Sequence, residues 1–138
     1  MDANVWFSLS VEDHGHHERS LRYWREEGSG EFALCRMTEL ALLRLLSNQH
    51  VLGDRALSGR AAWQALRTWR SSPRVTYLDE PPALDEILGT WGGELDVRSR
   101  HWSDAYLAAF ATASGSRLIT YDGDLGRYPG LSWLHLRS

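Results

Sequence analysis

The sequence predicts an α/β protein in three layers, with helices on both faces of a mostly parallel sheet. Two observations carry that expectation. Short apolar runs bounded by glycine, proline and polar clusters alternate with longer segments at helical spacing, the order of a covered parallel sheet. No internal repeat or low-complexity tract breaks the alternation. With 138 residues, 43% of them hydrophobic, the chain is sized for one domain, residues 1–138, with its own core.

Asp2–Leu9 opens on an acid and turns apolar through Val5, Trp6, Phe7 and Leu9, which suits a strand or a first helical turn equally. Val11–Gly15 is polar and loop-like. His16–Glu27 sets Leu21, Trp24 and Arg25 at helical spacing and ends at Gly28 and Gly30. Glu31–Cys35 is short and apolar enough for a buried strand. Thr38 and Glu39 start a helix whose Leu40, Ala41, Leu42, Leu43, Leu45 and Leu46 leave almost no polar face, so a central position is expected.

Asn48–Arg55 connects to an amphipathic helix, Ser58–Arg70, with Ala62, Ala65, Leu66 and Trp69 facing in and Arg60, Gln64, Arg67 and Arg70 facing out. Pro73 ends it, and Arg74–Leu78 is a second strand candidate. Pro81 and Pro82 precede a helix over Ala83–Trp91, which Gly92 and Gly93 are expected to stop. Glu94–His101 is polar, the segment expected to be a mobile loop. Ser103, a candidate N-cap, and Asp104 open the next helix, which carries Ala105, Leu107, Ala108, Phe110 and Ala111 and stops at Gly115. Arg117–Tyr121 is a compact apolar strand ending directly on Asp122. Past Asp124, a Pro129-Gly130 turn leads to a last strand, Ser132–Leu136.

Composition narrows the function. A net charge of −3 excludes a generally basic nucleic-acid coat protein. All 15 cations are Arg, whose planar fork suits phosphate, so a polyanionic ligand would need local Arg patches or a metal. No apolar run approaches the roughly 18 residues of a membrane span, and the start lacks a basic signal-peptide region. A cytoplasmic protein without membrane contact is expected. The single Cys35 cannot form an internal disulfide and is expected to be buried.

Four acids stand where helices begin or strands end. Taken singly, Asp104 suits a helix dipole, Asp122 a turn before Gly123, Asp2 a solvated terminus, and Glu39 a capping box with Arg36 beside its N-cap. Together they fall on one edge of a parallel sheet. Carboxylates gathered there repel unless a divalent cation neutralises them, and Mg²⁺ or Mn²⁺ prefers such oxygen sites. That donor set suits metal-assisted hydrolysis of a phosphodiester.

These pieces resemble a known family. Asp2-Ala3-Asn4-Val5 comes first, then His14-Gly15-His16-His17 ahead of a helix with Leu and Trp, then Thr38-Glu39 with its Leu-rich helix. Ser103 to Ala109 and Ile119-Thr120-Tyr121-Asp122-Gly123-Asp124-Leu125 follow, in the family's order and spacing. The chain resembles PIN-domain ribonucleases, in particular the VapC toxins of bacterial toxin–antitoxin pairs and their mycobacterial-type subgroup. The resemblance implies a PIN-like fold and a Mg²⁺-dependent endoribonuclease acting by metal-activated water. It also implies a homodimer inhibited by a VapB-type antitoxin. It puts the metal ligands at Asp2, Glu39, Asp104 and Asp122, with Asp124 as a fifth acid and Asn4 and Thr120 as polar support. It departs at one place: the family carries apolar residues ahead of the first Asp, forming a central strand, and here Met1 alone precedes Asp2. Either the natural start lies upstream, or the sequence is trimmed, or the strand is missing; in the last case stability should fall, Asp2 is at risk of misplacement, and Asn4–Leu9 becomes the family's next helix.

Other features are weaker. His14, His16 and His17 match no zinc spacing and suit a loop, a helix start or a dimer contact. Trp24, Trp63 and Trp69 are expected in the core or an interface, and Trp91 or Trp102 is a candidate for base stacking. Arg98, Arg100 and Arg127 flank the acids as phosphate contacts or a solvated rim. Two other readings compete: a catalytically impaired binding module for RNA or antitoxin, and a metal phosphohydrolase acting on small esters.

Overall fold

The computed structural model describes residues 1–137; Ser138, the end of the expected domain, lies outside the described residues. The chain enters as a helix, α1 (Ala3–Ser10), capped by Asp2, whose carboxylate accepts the Ala3 N–H. Next come α2 (His17–Arg22), continuing as a π-helical turn over Tyr23–Glu27, and strand β1 (Phe32–Leu34). Helix α3 (Arg36–Leu46), the short α4 (Gln49–Leu52) and α5 (Gly59–Ser71) lead to β2 (Val75–Tyr77). The last elements are α6 (Leu84–Glu94), α7 (Trp102–Ser114), β3 (Leu118–Thr120) and β4 (Trp133–His135).

All the strand pairing is parallel, but it falls into two pairs, not one sheet. Phe32 registers with Val75 across β1 and β2, and Leu118 with Trp133 across β3 and β4. Between the pairs, Met1, Phe32, Ala33, Arg117 and Ile119 line a cavity of about 430 Å³. Met1 lies at that interval, and the Asp2 N–H donates to the Ile119 carbonyl at 2.8 Å. The segment after Asp2 is therefore the helical alternative.

The core lies in two clusters. In one, Trp6 is fully buried and meets Trp24 and Trp69 edge-on, with ring centroids 6.2 and 5.3 Å away. In the other, Trp91, Leu84 and Tyr128 pack with the alanine-rich face of α7.

Several local expectations need correction. Helix α3 is not apolar all round in its setting: Leu40 is exposed, while Thr38 and Glu39 are buried. Its start is closed by Thr38, whose Oγ1 accepts the Cys35 N–H and donates to the Cys35 carbonyl, so Glu39 is not part of the cap. Helix α6 runs through Gly92 and Gly93. Gly92 instead allows close packing, because a Cβ there would lie 2.8 Å from the Trp102 ring. Ser103 lies inside α7, and His101 takes the N-cap place. Gly115 does end α7, at φ 67° in the left-handed region that favours glycine. Trp63 is exposed on α5, so of the expected Trp set only Trp24 and Trp69 join the core cluster.

Truncating Trp6 removes the ring on which α1, α2 and α5 converge. Trp6→Ala is expected to destabilise the protein by about 3–5 kcal/mol, read as a lowered urea midpoint by circular dichroism; a loss below about 1 kcal/mol would mean that this cluster is not central.

Candidate metal centre

Three acids converge because three elements end together. Asp2 caps α1, Asp104 lies in the first turn of α7, and Asp122 follows β3 as the N-cap of a 3-10 turn over Gly123–Arg127. Thr120 is the hub. Fully buried at the end of β3, its Oγ1 donates to Asp2 Oδ2 at 2.7 Å and accepts the Asp122 N–H at 3.0 Å. Asn4 reinforces the junction, donating to the same oxygen at 3.4 Å and accepting the Tyr121 N–H at 3.5 Å. Asp2 is therefore held beside β3 despite the short lead-in.

The electrostatics show the crowding. Burial raises the Asp2 pKa most; hydrogen bonds from Thr120 and Ala3 and the nearby terminal amine oppose that, and Asp122 adds to it. Asp104 is raised by burial, then by Asp122 and Asp2, with His101 and Arg127 acting against. Asp2 and Asp104 thus each feel Asp122 as a like charge. Tyr128 lies in the same field: burial raises its pKa, as do Asp104 and Asp122, against Arg127. Its hydroxyl is buried and has no hydrogen-bond partner within the protein. A buried phenol without a partner beside like-charged carboxylates marks a polar environment left incompletely paired by the protein.

Glu39 is held differently. It is fully buried, and Arg70 grips both its oxygens, Nε to Oε2 at 2.6 Å and Nη2 to Oε1 at 2.8 Å. Arg36 adds a third contact at 3.2 Å. Arg70 therefore does not simply face out, as helical spacing suggested. Both Glu39 oxygens are engaged by guanidinium, and Glu39 is absent from the acids that raise Asp2 and Asp104. Asp124 is exposed; its backbone N–H donates to Asp122 Oδ1, and its carboxylate lies 3.8 Å from Arg127.

Among the described residues, no three His, Cys, Asp or Glu side chains stand close enough together to hold one ion. Local bonds give the reason. Asp2 is turned to Ala3 and Thr120, Asp122 to Asp124, and Glu39 to its arginines. The histidines do not make a metal site either: His17 Nδ1 bonds the Ser8 carbonyl, His14 Nδ1 accepts the His16 N–H, and His16 stacks on Tyr121. Sequence reasoning missed Arg36, Arg70 and Tyr128. The Arg36-x-x-Glu39 spacing was the one available signal for a paired Glu. Of the stacking candidates, Trp91 is buried against Tyr128, whereas Trp102 is exposed.

The PIN domain profile matches residues 1–131. The chain belongs to the PIN-domain family. It is similar to Ribonuclease VapC41 of Mycobacterium tuberculosis, 35% identical over 136 residues that cover 94% of this chain and 92% of that protein. Ribonuclease VapC39 of the same organism is 28% identical over 91% of this chain and 88% of its own length. The crystal structure of VapC20 from that organism, described as a sarcin–ricin loop cleaving toxin, superposes with a TM-score of 0.69. It covers 99% of this chain and 97% of its own at 21% identity, a likeness of fold. The expected α/β class is thereby borne out, with the sheet divided in two as described. No helix among the described residues is long and apolar enough to cross a membrane.

The raised carboxylates fix a pH dependence. A group whose folded pKa lies above its unfolded value favours folding below the unfolded value, and that contribution is lost as pH rises through the folded pKa. Without metal, the crowding of Asp2 and Asp104 should therefore lower stability from about pH 4 upward. Asp104→Asn should melt higher than the native chain at pH 7 in EDTA and match it near pH 3, as scanning calorimetry would show. A lower melting temperature at pH 7 would mean that Asp104 is not under like-charge strain.

Proposed function

We propose that the chain is a divalent-metal-dependent endoribonuclease, the toxin of a VapBC-type pair, formed by one catalytic domain over residues 1–138. The observation that carries this reading is that Thr120 ties Asp2 to the Asp122 backbone while Asp2 and Asp104, raised first by burial, each also feel Asp122 as a like charge. Family membership and the names of the relatives, ribonucleases throughout, support it. Asp2, Asp104 and Asp122 would hold Mg²⁺ or Mn²⁺, which would supply the positive charge and the activated water for a phosphodiester displacement. Thr120 and Asn4 orient the first and last of these acids. The Tyr128 phenol offers a donor for water or a substrate oxygen. Glu39 would join them as a ligand only if Arg70 released it, and Asp124, whose backbone N–H donates to Asp122, would stand at the rim. In this reading RNA is the substrate, a VapB-type antitoxin the inhibitor, a homodimer the assembly and the cytoplasm the compartment.

With Mg²⁺ or Mn²⁺, the protein should cleave a structured RNA internally, leaving 5′-phosphate and 3′-hydroxyl ends. EDTA should stop the reaction, and Asp104→Asn should slow it by on the order of 100-fold or more. Gel assays with end-group analysis read both. Cleavage that survives EDTA, or an unaffected Asp104→Asn variant, would remove the metal account. Turnover of small phosphate esters with none on RNA would favour a phosphohydrolase instead.

A further inference from the structure

Helix α5 is cationic in an acidic protein. It contains Arg60, Arg67 and Arg70 and no acid, while the whole chain carries a net charge of −3. Arg60, Trp63, Arg67 and Arg70 follow one another at intervals of three, four and three residues, so they share one outward stripe about 15 Å long. Trp63 is 41% exposed, with the Arg70 guanidinium 5.0 Å from its ring centre. Arg36 continues the stripe through Glu39, which it shares with Arg70, and lies 5.7 Å from the ring of Tyr77, also 41% exposed. Arg60 and Arg67 pair with no carboxylate among the described residues. Trp63, exposed between the unpaired Arg60 and Arg67, and Tyr77, exposed beside Arg36, lie outside both core clusters. They match what a single strand needs, cations for phosphates and open π-faces for bases.

We propose that this stripe, Arg60, Trp63, Arg67 and Arg70 with Arg36 and Tyr77, is a track for single-stranded RNA. Arg60 and Arg67 take successive phosphates, and Trp63 and Tyr77 stack bases. The partly exposed Arg70 lies between the track and the buried Glu39, so a phosphate reaching it competes with that carboxylate. This deepens the RNA reading above and rests on it for the identity of the ligand. Charge complementarity selects a polyanion, and the aromatic interleaving selects an unpaired strand over a duplex.

The test is fluorescence anisotropy of a labelled 12-nucleotide single-stranded RNA with the full chain in EDTA, which separates binding from metal-dependent cleavage. Arg60→Gln/Arg67→Gln should weaken binding at least about tenfold and flatten the slope of log affinity against log salt by about 1.4. Trp63→Ala should weaken it by about 5- to 100-fold with little change in slope, and Trp63→Tyr should restore most of the loss. The charge-matched Arg22→Gln/Arg25→Gln variant, altered in α2 and the π-helical turn where both arginines lie beside Glu18 and Glu26 and away from the stripe's residues, should bind like the native chain. The altered positions of the stripe are exposed, and circular dichroism checks that each variant is folded. The proposal falls if the stripe variants bind normally, if the α2 control weakens binding equally, or if duplex RNA or polyglutamate competes better than single-stranded RNA. Track-dependent binding without cleavage in Mn²⁺ would keep the track and remove the nuclease reading. Cleavage with unaffected binding by the stripe variants would do the reverse.

Discussion

The Thr120 hydroxyl joins the two ends of the chain's chemistry. It donates to Asp2 and accepts from the Asp122 backbone, residues that are distant in sequence and meet only because α1 begins where β3 ends. A buried hydroxyl left without these partners would be costly, so the junction holds firmly once the backbone is in place. The acids around it feel one another through space, only partly offset by the terminal amine at Asp2 and by His101 and Arg127 at Asp104. Asp2 and Asp104 are raised mainly by burial, with Asp122 adding repulsion. That residual strain is the physical content of the site.

Around this junction the arginines divide the labour. Arg70 and Arg36 neutralise Glu39 inside the fold, where an unpaired carboxylate would be strongly disfavoured. Arg127 stays near Asp124 and His101 at the rim. A mildly acidic protein can thus approach a polyanion, because part of its positive charge is concentrated along α5.

Much of this was legible in the sequence. The turn from Ile119 through Asp122 and the first turn of α7 announced themselves by an acid at the edge of an apolar run, a local signal; that Asp2 caps α1 did not, since alone it read as a solvated terminus. What was not legible depends on contacts between distant segments. Helical spacing put Arg70 outward on α5, and nothing local reveals that its guanidinium folds back to Glu39 on α3. The glycines at 92 and 93 looked like a helix stop, but the ring of Trp102 gives Gly92 a packing reason. The division of the strands into two parallel pairs likewise rests on pairing between distant segments, which spacing along the chain does not reveal. Spacing along the chain showed which residues carry chemistry; it did not show which of them are already engaged.

The central claim is that Asp2, Asp104 and Asp122 can close on one cation. Anomalous diffraction from a crystal soaked in Mn²⁺ tests it most directly. The account predicts a peak within bonding distance of those three carboxylates. A well-ordered crystal with no peak there, or with manganese bound only elsewhere, would contradict it.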